Sequence, residues 1–551
     1  MNKDSYRYAA RGLAATLLAV FACLALTGLE EKSATFDEGN HLVRGLYPLA
    51  GKGYLLNREH PPLINLLQAL PVHVTRRPEI PEATPAMYPF FFHSGRVLWE
   101  MDNDGKAMIR QARRVTVGLA LVLGFLVYLW ARELHGEAGG LTALGLFVFS
   151  PMMLAHGRLV TTDMGLALCL FAFFFALSGL VRRPAPWRLA VAGLCLGAAL
   201  ASKHMALLAL PVALLVLVLA ERKTVLAPAL GRTPVAKSRL NAVWVWLALV
   251  AIAFVVLWGV YGFQVGRIDG NGIPAPAPDY FGGLRQGWQS LETGRVYYLN
   301  GVISDKGWLA YFPLAFAYKT PLPVLILLVT ALLLHLRGKF RVGKMTNFIA
   351  LALGGIVLAV VLKRVNLGLR YLLWAYPFLF LYLGGVARVP RWRLLLIPVL
   401  GWLVFATLSA HPDYLSYFNR AVPQQEKRLY LVDSNLDWGQ ALPALARFQR
   451  ERNIKTVRLG YFGTADPKAY GVVAEPLPSF LRRQTPLAVD ELKLEGVIAV
   501  SATLLQGLYN RPPDFYAPLR KIVPTAQLGG GSILVFDCRK QAGECGTLPN
   551  R

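Results

Sequence analysis

Acidic residues are scarce in this chain: 32 Asp and Glu stand against 58 Lys and Arg, a formal net charge of +26 over 551 residues. Charge of either sign is sparse, at 16% of residues, while 55% are hydrophobic. That balance excludes an ordinary soluble protein, in which about a quarter of residues are charged. The cationic excess does not point to nucleic acid, because the basic residues are dispersed among loops between apolar runs, with no nucleic-acid-binding motif around them. Cysteine occupies only five positions. Cys23, Cys169 and Cys195 fall in apolar runs and read as packing residues, whereas Cys538 and Cys545 lie in a polar tail and could pair in an oxidising compartment. No small-residue cleavage site follows the apolar stretch 12–29, which therefore reads as an uncleaved first span. No internal repeat is found.

What the chain has in quantity is apolar runs. They recur over the first 410 or so residues, many of them close to the ~20 residues that cross a bilayer. After 12–29 they fall at about 115–132, 138–156, 164–180, 189–220, 242–262, 318–337, 347–362, 371–387 and 393–410. The stretch 189–220 is long for one span and short for two. Arg182, Arg183 and Arg188 precede it, and Arg222, Lys223, Arg232, Lys237 and Arg239 follow, so the positive-inside bias puts both flanks in the cytoplasm. It then crosses twice, turning near Ser202-Lys203-His204. The expected fold is a polytopic α-helical membrane protein of about eleven transmembrane helices, N-terminus inside and C-terminus outside. The first connection carries two amphipathic pieces, 63–70 and 90–109, expected as helices lying along the membrane surface. Residues 263–310 read as an ordered external loop. From His411 the pattern changes to short β-rich runs at 428–432, 457–462, 497–500 and 532–536, with a helical stretch at 442–452. The chain thus divides into a membrane part, 1–410, and a small α/β domain, 411–551.

Polar motifs interrupt the connections. Thr35-Phe36-Asp37-Glu38-Gly39-Asn40-His41 places two adjacent carboxylates just past the first span, and Asn57-Arg58-Glu59-His60-Pro61-Pro62 adds a third, an imidazole and a Pro-Pro bend. Asp163 opens a later span, where it could serve only as a helix N-cap. Lys363, Arg364 and Arg370 stand on what the alternation of spans makes the outer side. Cations on the wrong side point to an anionic ligand or to snorkelling towards lipid headgroups. Asp37, Glu38, Glu59, Asp163, Lys319 and Arg370 are far apart in sequence, yet the topology gathers them on one face. There a carboxylate can deprotonate an acceptor, a second can hold a divalent metal that bridges to phosphate, and an arginine fork can take the phosphate itself.

Asp37-Glu38, Glu59-His60-Pro61-Pro62, Thr162-Asp163 and Gly368-Leu369-Arg370-Tyr371 together resemble the phospholipid-carrier-dependent glycosyltransferases of the GT-C fold, a family that includes protein O-mannosyltransferases and the lipid A aminoarabinose transferase. The resemblance covers the membrane part. It implies an inverting transfer of a sugar from a polyprenyl-phosphate carrier, such as undecaprenyl phosphate, to a protein, lipid or glycan acceptor, at the periplasmic face of a bacterial inner membrane. It further implies Asp37 as base, Glu38 and Asp163 as further carboxylates of the catalytic site, Glu59 as ligand of a divalent metal (magnesium or manganese, with zinc an alternative), and Arg370 as binder of the lipid phosphate. Lys319, Arg364 and Tyr371 join as substrate-binding residues, and His60 stands where relatives often carry a phosphate-binding Lys. The segments 411–419 and 433–440 look like ones found in bacterial relatives and name no substrate. The rival class, a transporter or flippase of lipid-linked sugars, would put its charges near mid-membrane and show related halves.

Overall fold

The computed structural model describes residues 3–54, 58–82, 90–221, 227–230, 239–292, 295–339, 344–479, 495–510 and 514–539. Arg222, Lys223, Arg232, Lys237, Asn57 and Cys545 lie outside the described residues. Cys538 is disulfide-bonded.

The chain is mainly helical. Among the described residues, 6 helices are long and apolar enough to cross a membrane, and a pair bent by 115° between Tyr311–Lys319 and Leu322–Leu336 brings the number to 7. Pro186–Leu200, His204–Ala220 and Leu353–Leu362 are shorter apolar helices. The gap between the apolar runs 115–132 and 138–156 appears as a break inside the 44-residue helix Gly105–Val148, where Gly136 adopts φ 78, ψ 179. Straight, such a helix would run roughly 66 Å, twice the hydrocarbon thickness of a bilayer. The stretch 189–220 folds as Pro186–Leu200 and Ala209–Glu221 separated by a non-helical Lys203 and a short helical turn. Gly193 and Gly197 let the first of these pack on Arg239–Val260, since a Cβ at either position would collide with Ile252 or with Val256 and the Ala253 carbonyl. Small residues at such crossings allow close backbone approach in membrane bundles.

Helix α1 is Lys3–Thr27. The acidic motif after it is not a loop: Glu38–Leu49 forms a second helix, α2, with Asp37 at its N-cap position. Two glycines, an Asn and a Pro make this a poor helix former in isolation, so burial holds it. Leu42, Val43, Leu46 and Tyr47 are all 0–1% exposed, and they pack with Ala69 and Val72 of α3, Leu63–Arg76. Gly45 permits that packing, because a Cβ there would meet the Asn65 backbone of α3. The second amphipathic piece, 90–109, is broken. A helix runs Phe90–Gly95, a π-helical turn Arg96–Glu100, and the next helix starts at Gly105, where the Asp104 carboxylate accepts from Ala107 N–H.

The long connection 263–310 is built from two hairpins, β1 (Val265–Ile268) with β2 (Asn271–Pro276) and β3 (Tyr297–Leu299) with β4 (Val302–Ser304), around a helix Pro278–Glu292. After residue 411 a five-stranded sheet forms from β5 (Val457–Gly460), β6 (Ala474–Pro476), β7 (Val497–Ser501), β8 (Ala526–Leu528) and β9 (Ile533–Asp537), in the order β6-β5-β7-β9-β8. β5 pairs in parallel with β6 and β7, while β9 pairs antiparallel with β7 and β8. β7 and β9 are buried along their whole length, which is why they read as unbroken apolar runs. The helix expected at 442–452 is Leu442–Glu451. The strand expected at 428–432 is instead a helical turn, Lys427–Tyr430; a run this short carries no periodicity that separates the two conformations.

Candidate functional site

Asp37 is placed by the residues before it, and residues between 438 and 464 hold those residues. Phe36 N–H donates to the Trp438 carbonyl at 2.8 Å, and the Phe36 carbonyl accepts from Thr464 Oγ1 at 3.0 Å. The Phe36 ring stacks on Phe462 with centroids 5.1 Å apart, and Phe462 stacks in turn on Tyr509. Ser33 is tied to Gln440 and Gly439 in the same loop. The segment 433–440 therefore forms a wall of the site.

Arg370 stands at the centre. Its Nη1 lies 3.1 Å from Asp37 Oδ2 and 3.6 Å from Asp163 Oδ2, so two carboxylates from distant connections share one guanidinium. The guanidinium carbon lies over Trp438 at 4.3 Å and over Tyr371 at 5.5 Å. Its Nε is buried with no hydrogen-bond partner among the described residues. On the other side of Asp163, Lys203 Nζ donates to Oδ1 at 2.5 Å and sits 5.0 Å over the same Tyr371 ring. Tyr371 is thus a spacer between two cations. Asp433 also acts on Arg370; it accepts from Tyr509 Oη at 2.7 Å, and burial raises its carboxyl above the ordinary value.

Two of the expected site residues are occupied elsewhere, and a third is exposed. Glu38, 0% exposed, receives Arg113 Nε at 2.8 Å and Nη2 at 2.6 Å, together with Thr35 N–H, Thr35 Oγ1 and Val160 N–H. Its lone pairs are used, and its geometry suits holding the loop. Helix geometry separates it from Asp37, since adjacent side chains at a helix start point about 100° apart. Lys319 Nζ is buried against the carbonyls of Leu415 and Asn435 and lies over the Phe418 ring, a strut between the bent helix pair and the C-terminal domain. Arg364 is exposed, at φ 52.

His60 lies against the first turn of α2, and Glu59 acts on Arg44 further along it. The His60 ring stacks on His41 with centroids 5.5 Å apart and an interplanar angle of 24°. Burial, followed by the nearby Arg44 charge, holds both imidazoles well below their ordinary value, so they are neutral. A neutral His60 offers no charge to a phosphate. Glu59 acts electrostatically on Arg44, and burial pushes that guanidinium down to about 10, still a cation at neutral pH. Among the described residues no group of three His, Cys, Asp or Glu side chains could hold a metal ion. Asp37 and Asp163 each have a fixed cation at ion-pair distance. This donor set, with Asp37 and Asp163 each already beside a cation of the chain, does not fit a resident divalent ion.

Residues 105–261 match the family model described as dolichyl-phosphate-mannose-protein mannosyltransferase. The chain is similar to glycosyltransferases of the GT-C type. The matched segment contains Arg113, Asp163 and Lys203 and leaves Asp37, Glu59 and Arg370 outside. No curated protein sequence matches the chain. Among solved structures, ArnT from Cupriavidus metallidurans bound to undecaprenyl phosphate is 14% identical, with a TM-score of 0.47 over 95% of this chain and 97% of that one. The same protein in the apo state gives 15% identity and a TM-score of 0.48 over 96% and 98%. The Archaeoglobus fulgidus oligosaccharyltransferase in complex with Zn and sulfate gives 11% and 0.39 over 90% and 70%.

Lys203, Trp438, Arg113 and Arg44 were not singled out by the motifs. Lys203 had a signal, being a charge in the middle of an apolar stretch, and Trp438 sits in the segment 433–440, which the sequence sets apart. Arg113 and Arg44 gave none, because an arginine near a span end reads as an orientation signal.

Proposed function

We propose that this chain is a membrane glycosyltransferase that moves a sugar from a polyprenyl-phosphate carrier to a hydroxyl or amine of a protein, lipid or glycan acceptor. The observation that carries the reading is Arg370, held between two carboxylates and an indole with its Nε free to take an anion. A lipid phosphate entering beside it competes with Asp37 for the guanidinium and leaves Asp37 available as base. Asp37 then takes the acceptor's proton, the acceptor atom attacks C1 of the sugar from the face opposite the phosphate, and the C1–O bond breaks with inversion. Arg370 and Lys203 meet the charge left on the departing phosphate, worth most in a site shielded from water. Asp163 orients both cations, and Glu38 with Arg113 fixes the loop that presents Asp37.

The site then sits at the outer face, with eleven crossings and a C-terminal domain, 411–551, on the periplasmic side of a bacterial inner membrane. The break at Gly136, the paired short helices after Pro186 and the bent pair at Thr320 support that count. The test uses the full chain in lipid nanodiscs with a panel of undecaprenyl-phosphate sugars and follows release of undecaprenyl phosphate. Release that requires both an acceptor and Asp37 supports the reading; a wild-type protein that binds none of the lipids removes it.

A further inference from the structure

At the end of Asp163–Arg182 remote from Asp163, a cavity of about 580 Å³ lies between three helices, Gly105–Val148, Asp163–Arg182 and Pro186–Leu200. Its two ends differ in chemistry. Arg182, Arg183 and Arg188 line the mouth with Glu133 and Trp187, whereas Leu126, Ala172, Phe175, Val191 and Cys195 line the depth. Among the described residues Glu133 is the one carboxylate at ion-pair distance from these cations, and it takes Arg182. Three guanidiniums against one carboxylate leave two positive charges at the mouth. Arg188 Nη1 donates to the Gly179 carbonyl at 3.1 Å and Arg182 Nε to the Ser178 carbonyl at 3.1 Å, at a helix C-terminus where the dipole favours cations. Each guanidinium has five N–H donors, so most remain for a ligand, and Arg183 is exposed. From Arg183 to Ala172 the wall follows eleven residues of helix, roughly 16 Å at the helical rise and close to half the ~30 Å hydrocarbon thickness of a bilayer. The cavity is therefore about one leaflet deep. Trp187 is 61% exposed with the Arg188 guanidinium carbon 4.5 Å over its ring, and tryptophan is enriched at headgroup level. Val191, 42% exposed, leaves the flank open to the bilayer.

We propose that this cavity binds one anionic glycerophospholipid, of the phosphatidylglycerol class, in the leaflet opposite Asp163. Its phosphodiester meets Arg183 and Arg188, and an acyl chain lies along Ala172, Phe175 and Val191. Guanidinium forks match phosphate oxygens, and basic pockets between transmembrane helices take lipid headgroups in this way. A zwitterionic lipid would bring its own cation to a cationic mouth, so net negative charge is selected. A soluble anion would fill the mouth alone and leave the apolar depth without a partner, whereas a phospholipid covers both. Nothing in the assignment depends on the transfer chemistry, because the cavity lies a helix length from Asp163.

The test titrates phosphatidylglycerol and phosphatidylcholine against the full chain in detergent micelles and reads the first bound lipid by native mass spectrometry, with glycerol 3-phosphate as a headgroup without chains. The wild type is expected to bind phosphatidylglycerol more tightly than phosphatidylcholine, and glycerol 3-phosphate is expected not to displace it. Arg183→Gln and Arg188→Gln should each weaken phosphatidylglycerol about 5-fold, and the double variant about 30-fold, as for basic residues at a membrane surface, with phosphatidylcholine unchanged. Arg391→Gln removes another exposed arginine at a span end, outside the cavity, and should change nothing. Because Arg188 also holds a helix end, Val191→Trp supplies a second arm. It keeps every charge, fills the groove and is expected to weaken phosphatidylglycerol as well. Equal affinity for the two lipids, a loss in Arg391→Gln as large as in Arg183→Gln, or unchanged binding in Val191→Trp would overturn the site. Displacement by glycerol 3-phosphate would overturn the lipid assignment and leave an anion site.

Discussion

The guanidinium carbon of Arg370 lies 4.3 Å from the centre of the Trp438 ring, joining a helix of the membrane part to a loop of the C-terminal domain. Trp438 is 2% exposed, so the contact is desolvated. The Trp438 carbonyl also accepts from Phe36 N–H, one residue before Asp37. Trp438 therefore contacts both Arg370, proposed to bind the lipid phosphate, and the residue before Asp37, the proposed base.

A desolvated cation–π contact is worth about 2 kcal/mol, or roughly 30-fold in affinity. Trp438→Leu is expected to weaken binding of undecaprenyl phosphate by about that factor, and Trp438→Phe by less, because a ring remains. Binding to the purified variants measures this, and an unchanged affinity in the Leu variant would make Trp438 a packing residue only.

Asp37→Asn keeps the size of the side chain and removes the base. Transfer is expected to fall about 10²- to 10⁴-fold. Donor binding should hold or tighten, since Arg370 loses its competing carboxylate. Single-turnover release of lipid phosphate, run beside a donor-binding assay, separates the two effects. Near wild-type turnover would remove Asp37 from its role.

Glu38 and Arg113 form a buried pair, with side chains 0% and 3% exposed. Burial alone would raise the Glu38 carboxyl, but the Arg113 charge and hydrogen bonds from Arg113, Thr35 and Val160 outweigh it and hold the group below its ordinary 4.5. A carboxylate depressed by folding contributes stability above its unfolded value, and that contribution is lost as pH falls through the folded one. The protein should therefore lose thermal stability below about pH 4.5. Arg113→Leu strands a buried charge and is expected to cost about 3–5 kcal/mol near neutral pH. Melting curves at pH 4 and pH 7 test both; an Arg113→Leu variant as stable as wild type at pH 7 would refute the pair's role.

Much of the helical layout was legible because apolar runs and charge punctuate it, including the break at Gly136. That Asp37, Asp163 and Arg370 meet could be read from the same alternation, which puts their connections on one side. What each side chain does there was not legible. Glu38 and Asp37 are adjacent in sequence, yet one turns into a buried arginine and the other towards Arg370, a divergence created by α2. That helix was hidden, because its glycines and proline oppose it and only tertiary burial against α3 forms it. Lys319 reads from the sequence as a substrate-binding residue, and the carbonyls of Leu415 and Asn435 that surround it in the fold could not be foreseen. Those partners come from the C-terminal domain, far along the chain.

The proposed orientation rests on the Arg370 contacts. Asp37, Asp163 and Trp438 each touch Arg370, so the connection after α1, the start of Asp163–Arg182, residue 370 and the segment around 438 share one face. Basic clusters stand at the far ends of these segments: Arg182, Arg183 and Arg188 after one, and Arg388, Arg391 and Arg393 after another. The positive-inside bias predicts those ends in the cytoplasm, and with them the proposed site and residues 411–551 outside. A reporter active only outside the cytoplasm, fused after Arg551, is expected to signal, and a single cysteine placed near Gly301 should label from the outside in intact cells. A fusion active only in the cytoplasm would require residues 189–220 to cross once. Arg370 would then lie across the membrane from Asp37, against the 3.1 Å pair that joins them, and the site would have to be rebuilt without it.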